Sequence, residues 1–123
     1  MKRGLIISAV CGLLILAGPA GGAQKGAQCP RKHVCVWADP DYQGQMVALG
    51  KRGLSNKIFA QMNDQASSLK SRIGRVAFMF TDVDGEGIRM CVLPHLKVSS
   101  LTIYGGMENS ISSSKLTRRR DCP

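Results

Sequence analysis

The chain has 123 residues, 44% of them hydrophobic, with 17 Lys and Arg against 8 Asp and Glu and a formal charge of +9. That length supports one domain with a modest core and excludes several. The basic excess favours anionic partners over cationic ones.

Lys2 and Arg3 precede an apolar run at 5–17, and small residues fill 18–23. This is the order of a secretory signal peptide, with cleavage expected after Ala23 or, as a second choice, Ala20. A membrane anchor is the rival reading, but a spanning helix needs roughly 20 apolar residues and this run is shorter. The protein is therefore expected to be secreted, extracellular or periplasmic. Residues 24–123 keep 15 basic and 8 acidic side chains, a net +7. Residues 24–28 are read as a flexible polar leader, and 29–123 as the domain.

Four cysteines remain after export: Cys29, Cys35, Cys91 and Cys122. An even number in a small exported chain implies a disulfide framework. Three pairings are open, and local closure favours Cys29 with Cys35 and Cys91 with Cys122. A zinc site is the rival, but no Cys-x-x-Cys pair is present.

Residues 33–37 are rich in β-branched and aromatic side chains and predict a strand. Residues 39–44 carry turn chemistry, with Pro40 and Gly44, and 45–49 predict the returning strand. Residues 50–56 predict a loop, and 58–60 a short strand or turn. The polar stretch Asn63-Asp64-Gln65-Ala66-Ser67-Ser68 follows. A second series then begins: a strand at 75–80, a turn at 81–87, a return at 88–93 and a loop from 94. A short strand is expected at 101–104 and a closing strand at 111–116. Residues 117–123 form a basic tail tethered by Cys122. Many short strands between turn signals predict an all-β sandwich or barrel.

The second series repeats the first. Glu108-Asn109-Ser110-Ile111-Ser112-Ser113 lies 45 residues after the polar stretch at 63–68, and Trp37, Asp39, Asp41 and Gly44 are answered 43 residues later by Phe80, Asp82, Asp84 and Gly87. Order and spacing are kept, so two copies of one unit are inferred: motif 1 at about 33–70 and motif 2 at about 75–116.

Trp37, four residues, Tyr42, one residue and Gly44 resemble the βγ-crystallin Greek-key signature. In such a hairpin the glycine permits a sharp backbone path and the aromatics fill the fold. Residues 63–68 resemble the calcium motif of that family. With Cys29-Pro30, the whole is closest to the secreted Streptomyces metalloproteinase inhibitor family, a two-disulfide branch, over about residues 29–122. The second copy departs from the pattern, with Gly85 at the second aromatic position and Glu108 where Asn or Asp should open the calcium motif.

The resemblance implies an all-β, double Greek-key βγ-crystallin-like sandwich of two repeated motifs. Trp37, Tyr42, Gly44, Phe80 and Gly87 would be its structural residues. It also implies one or two weak calcium sites. Asn63 and Asp64 open the first, where Ser67 would give its hydroxyl and Gln65 its carbonyl. Asn109 lies in the second, where Ser112 and Ser110 would take those roles. Asp41 and Asp84 from the hairpin turns, or Glu86, would complete the sites. Few carboxylates converge, so affinity would be about 10⁻⁴ M or weaker. The rival is that these motifs only shape turns by bonding nearby backbone.

The function this implies is inhibition of an extracellular metalloprotease by a rigid loop held at low entropic cost. Candidate contact segments are 50–57, 72–74 and 93–100. The alternatives are a calcium-stabilised binding module and a small cationic antimicrobial toxin. For the last, Lys51, Arg52, Lys70, Arg72, Arg75 and Arg118 to Arg120 would contact an anionic cell surface, although such charge is more often a solvated face. His33 and His95 stand at no recognisable catalytic spacing, so no enzyme is expected. Export and the lack of a recognition helix argue against nucleic acid. A monomer is expected.

Overall fold

The computed structural model describes residues 27–123. The expected signal peptide at 1–23, and most of the leader expected at 24–28, lie outside the described residues. Eight strands follow one another: β1 (Val34–Asp39), β2 (Gln43–Leu49), β3 (Gly53–Ser55), β4 (Ser68–Ser71), β5 (Ala77–Phe80), β6 (Arg89–Val92), β7 (Lys97–Val98) and β8 (Ser113–Leu116). They form two four-stranded sheets, ordered β2-β1-β4-β7 and β3-β8-β5-β6, with every pairing antiparallel. Each sheet takes three strands from one copy of the repeat and its outermost strand from the other. β3 of the first copy pairs with β8, and β7 of the second pairs with β4. This exchange is the Greek key, and the molecule is a double Greek-key sandwich.

Alternation along the strands decides what lies between the sheets. Val34 and Val36 of β1 face inward with Val47, Leu49 and Leu69, against Ala77, Met79, Met90, Val92 and Leu116 of the other sheet. The alternate residues form two outer clusters. Cys35 and Trp37 lie with Cys29, Tyr42 and Met46 on one sheet, while Phe78 and Phe80 lie with Val76, Cys91 and Cys122 on the other. A disulfide closes each outer cluster, Cys29–Cys35 on the first and Cys91–Cys122 on the second. Both β1 and β5 are thus buried on both faces over most of their length. The described end of the leader is held down, because the Trp37 indole N–H donates to the Ala27 carbonyl (3.0 Å).

Four local expectations are corrected. The segment at 50–56, read as a loop, contains β3, whose register (Gly53 with Leu116, Ser55 with Ser114) comes from a strand about sixty residues away and not from its own sequence. Residues read as a short strand or turn at 58–60 belong to helix α1 (Lys57–Met62), with Ile58 and Met62 buried one turn apart on one face. The loop from 94 contains β7. The strand expected at 101–104 is a 3-10 turn over Leu101–Ile103, whose Leu101 is buried and donates its N–H to the Ser67 carbonyl (2.8 Å).

Candidate functional site

The two polar stretches meet and bond to each other reciprocally. The Ser67 hydroxyl donates toward Glu108 Oε2 (2.9 Å) and Asn109 Oδ1 (3.1 Å). In return, Ser112 Oγ donates toward Asn63 Oδ1 (2.8 Å) and Asp64 Oδ1 (3.4 Å). Both serines are buried. Asp64 and Asn109 stand at φ 57° and 54°, a left-handed conformation that Asp and Asn tolerate better than most residues. The backbone adds a second reciprocal link: Leu101 N–H donates to the Ser67 carbonyl and Phe59 N–H to the Ser112 carbonyl (2.8 and 2.9 Å). A third link runs between the stretches, from Asn109 N–H to the Ala66 carbonyl (2.9 Å), whereas Gln65 and Ser110 bond locally. Gln65 donates its N–H to the Met62 carbonyl (3.3 Å), and Ser110 Oγ donates to the Glu108 carbonyl (3.1 Å).

The second serine of each stretch has a different task, which sequence reasoning missed. Ser68 Oγ accepts from Tyr42 N–H (2.9 Å) and donates to the Asp39 carbonyl (2.7 Å), so it folds the first hairpin down onto its own sheet. Ser113 Oγ repeats this with Gly85 N–H and the Asp82 carbonyl. The double serine, visible in both copies, was the signal. In each pair the first serine crosses to the other motif and the second holds its own.

Asp41 and Asp84 lie at the tips of the two hairpins, at φ 59° and 58°. Asp41 donates its N–H to the Ser99 carbonyl (2.8 Å). Asp84 is gripped twice by Asn56, through its N–H (2.8 Å) and its carboxylate (2.7 Å). The oxygens that meet Ser67 and Ser112 therefore come from the opposite polar stretch, not from the hairpin tips. Asn56 stands where Ser99 stands in the second copy, but Ser99 accepts the Asp41 N–H through its backbone, so no matching side chain in the repeat marked Asn56.

The structural residues fill the hairpins. Trp37 and Tyr42 stack edge to face at 5.2 Å, with Lys70 Nζ 4.5 Å above the Tyr42 ring. Burial, and secondarily the Asp41 carboxylate, push the Tyr42 phenol above its ordinary pKa. Gly44 and Gly87 adopt φ 81° and 83°, and a Cβ there would come within 2.7 Å of Asp39 Oδ2 in the first and collide with Thr81 Oγ1 in the second, so only glycine fits. Phe80 lies 6.4 Å from Phe78, over which the Arg89 guanidinium stacks at 4.8 Å.

Among the described residues, no three His, Cys, Asp or Glu side chains gather as metal ligands. The polar centre nonetheless suits a hard cation in one respect. Glu108 Oε1 is buried without a hydrogen-bond partner, beside hydroxyl and amide oxygens of the kind calcium takes.

At the opposite end of the sheets the candidate contact segments converge. Arg72 N–H donates to the His33 carbonyl (2.8 Å), Ser71 N–H to the Leu96 carbonyl (2.7 Å) and His95 N–H to the Ile73 carbonyl (3.2 Å). Gly50 and Arg52 share a cavity with residues 72–75. Only the first parts of 50–57 and 93–100 reach this pole, since Ser99 returns to the hairpin end through its bond with Asp41.

Comparison with solved structures defines the class first. A domain from work on the evolution of the eye lens βγ-crystallin fold superposes with a TM-score of 0.65 at 23% identity, over 74% of this chain and 91% of that one. A βγ-crystallin from Ciona intestinalis gives 0.60 at 21% identity, over 69% and 99%. A domain from Flavobacterium johnsoniae gives 0.58 at 23%, over 68% and 92%. The fold is that of the βγ-crystallins. A model of peptidase inhibitor family I36 matches residues 22–92, more than half of the chain, and the protein belongs to that family. No curated protein matched the chain.

Proposed function

We propose that the protein is a secreted inhibitor of an extracellular metalloprotease, presented on a βγ-crystallin-like scaffold. The observation that carries this reading is membership of the I36 family. The scaffold supports it. Two disulfides, a two-faced core and the backbone bonds of Ser71, Arg72 and His95 brace the pole of residues 72–74 and 93–95, so little entropy would be lost on docking. Leu93, 48% exposed at that pole, is an apolar side chain of the kind a protease cleft accepts. The test is inhibition of a thermolysin-like metalloprotease by the chain lacking residues 1–23, with a serine protease as control and calcium held constant. Stoichiometric inhibition of the metalloprotease alone is the expected result. Inhibition of the serine protease alone would refute the proposed target class.

The buried, unpartnered Glu108 Oε1 favours a second reading, a weak calcium site at the polar centre. Glu108, Asn109 and Ser67 would hold the ion, and Asn63, Asp64 and Ser112 would offer the matching second place. Bound there, it would neutralise carboxylate charge and tie the two motifs together. Calorimetric titration should give a Kd of about 10⁻⁴ M or weaker, lost in Ser67→Ala. No heat with the wild type would end this reading and leave the serines as purely structural clasps.

A further inference from the structure

The domain is electrically two-ended. Asp39, Asp41, Asp82, Asp84 and Glu86 lie in the two hairpin turns, and Asp64 and Glu108 in the polar stretches beside them. Register places all of these at one end, because Trp37 opposes Ser68 and Phe80 opposes Ser113. The other end is marked by Val34 opposite Leu49 and Ser71, and by Ala77 opposite Val92 and Leu116. Most chain segments leaving the strands there are basic, with Arg31 and Lys32, Lys51 and Arg52, Arg72 and Arg75, and Arg118 to Arg120; the segment 93–96 carries only His95, and Asp121 follows the tail arginines.

Between the two motifs at that basic end runs a groove of about 670 Å³. Lys32, Arg52, Arg72, Arg75 and Arg118 line it, and Leu116 and Ile73 give it an apolar part. Leu116 is buried and Ile73 half-buried, whereas the cationic residues are exposed. The walls are braced. Arg72 Nη1 donates to the Cys29 carbonyl (2.8 Å), which leaves its remaining N–H groups for a ligand. Thr117 bonds Val76 through both its N–H (3.2 Å) and its hydroxyl (2.8 Å), and Val76 N–H returns to the Arg119 carbonyl (2.8 Å). The basic tail is therefore fixed beside the linker between the motifs.

We propose that this groove binds an acidic peptide segment with an apolar residue at its centre. Four of the five cations are arginines, whose planar forks match carboxylates in pairs. The half-buried Ile73 between them offers an apolar contact that a polyphosphate chain, which has no apolar group, leaves unused. A flat anionic membrane meets convex surfaces, and these charges line a concave one. The seven carboxylates at the far end would turn an approaching acidic segment toward the basic pole. The proposal concerns the chemistry of the segment and holds whether or not a protease carries it.

The test is fluorescence anisotropy of a short labelled peptide, a leucine flanked by aspartates and glutamates, against the chain lacking residues 1–23. Binding should weaken with salt. Arg75→Glu and Arg118→Glu should each lower affinity about tenfold or more. Lys115→Glu makes the same change in net charge at an exposed position that opposes Phe78, outside the groove, and should shift affinity by less than about twofold. Thermal melts of all three variants check that the fold is kept. Equal losses in all three would reduce the binding to net charge and overturn the proposal. It would also be overturned if the wild type failed to bind the peptide, or bound inorganic polyphosphate or phosphatidylserine vesicles in preference to it.

Discussion

The two hairpins have nearly the same backbone and different contents. Asp39 and Asp82 precede them at φ −115° and −113°, and their tips stand at Asp41 and Asp84 with ψ 33° and 28°. The next residue is Tyr42 in the first, at φ 61°, and Gly85 in the second, at φ 73°. A bulky side chain in that region is strained, and Tyr42 offsets the strain by stacking on Trp37 beneath Lys70. Gly85 carries no such strain and no ring. The space its side chain would enter is taken by Leu54, whose Cδ1 would lie 3.0 Å from a Cβ there. That leucine sits on β3, which the first copy lends to the second sheet. Loss of the aromatic therefore leaves the hairpin shape intact. What the copies share is the serine clasp from below and the glycine that ends the turn, and these are what impose the path of the chain.

Five experiments would break or sharpen this comparison. Truncating the anchoring aromatics should have the largest effect: Trp37→Ala about 3–5 kcal/mol, and Phe80→Ala toward the lower end, since Trp37 is 1% exposed and Phe80 8%. Urea unfolding of both variants measures the asymmetry, and equal losses would contradict it. The disulfides come next. Replacing Cys91 and Cys122 by alanine opens a loop of sequence separation 31 against 6 for Cys29 and Cys35, so chain entropy predicts about 3–4 kcal/mol against about 2. The reverse order in denaturant midpoints would show that native contacts of the first bridge outweigh loop length.

The clasps should cost less and cost alike. Ser68→Ala and Ser113→Ala each leave a hairpin N–H without its partner, and about 1–3 kcal/mol is expected for each. A large difference between them would mean that the hairpins are not held equivalently. The smallest effect is expected for Tyr42→Gly, about 1 kcal/mol or less, because lost stacking and relieved backbone strain oppose each other. Tyr42 also gives the first hairpin an alkaline sensitivity that the second lacks. The folded chain holds the phenolic proton more tightly than the unfolded one. That stability is fully present below about pH 10 and falls as pH rises further. Tyr42→Phe should remove this part of the alkaline decline in thermal melts.

Much of this architecture could be read from the chain. The repeat, the two hairpins and the all-β sandwich follow from short-range patterns: aromatic and β-branched strands, turn residues, and a glycine where only glycine fits. These patterns determine local backbone paths, and local paths are written in neighbouring residues. The polar stretches were equally visible, but their partners were not. That Ser67 meets Glu108 and Asn109, and that Asn56 grips Asp84, depends on the two copies facing each other. Three-residue β3 exists because β8 lies beside it, and α1 because Ile58 and Met62 find a core to enter. The gathering of arginines from positions 52, 72, 75 and 118 around one groove likewise has no local signature. The sequence by itself determined two Greek-key units, their cysteines and their polar stretches. Only the tertiary structure decided how the copies exchange strands, clasp each other and divide their charge between two ends, because those contacts join residues that are far apart along the chain.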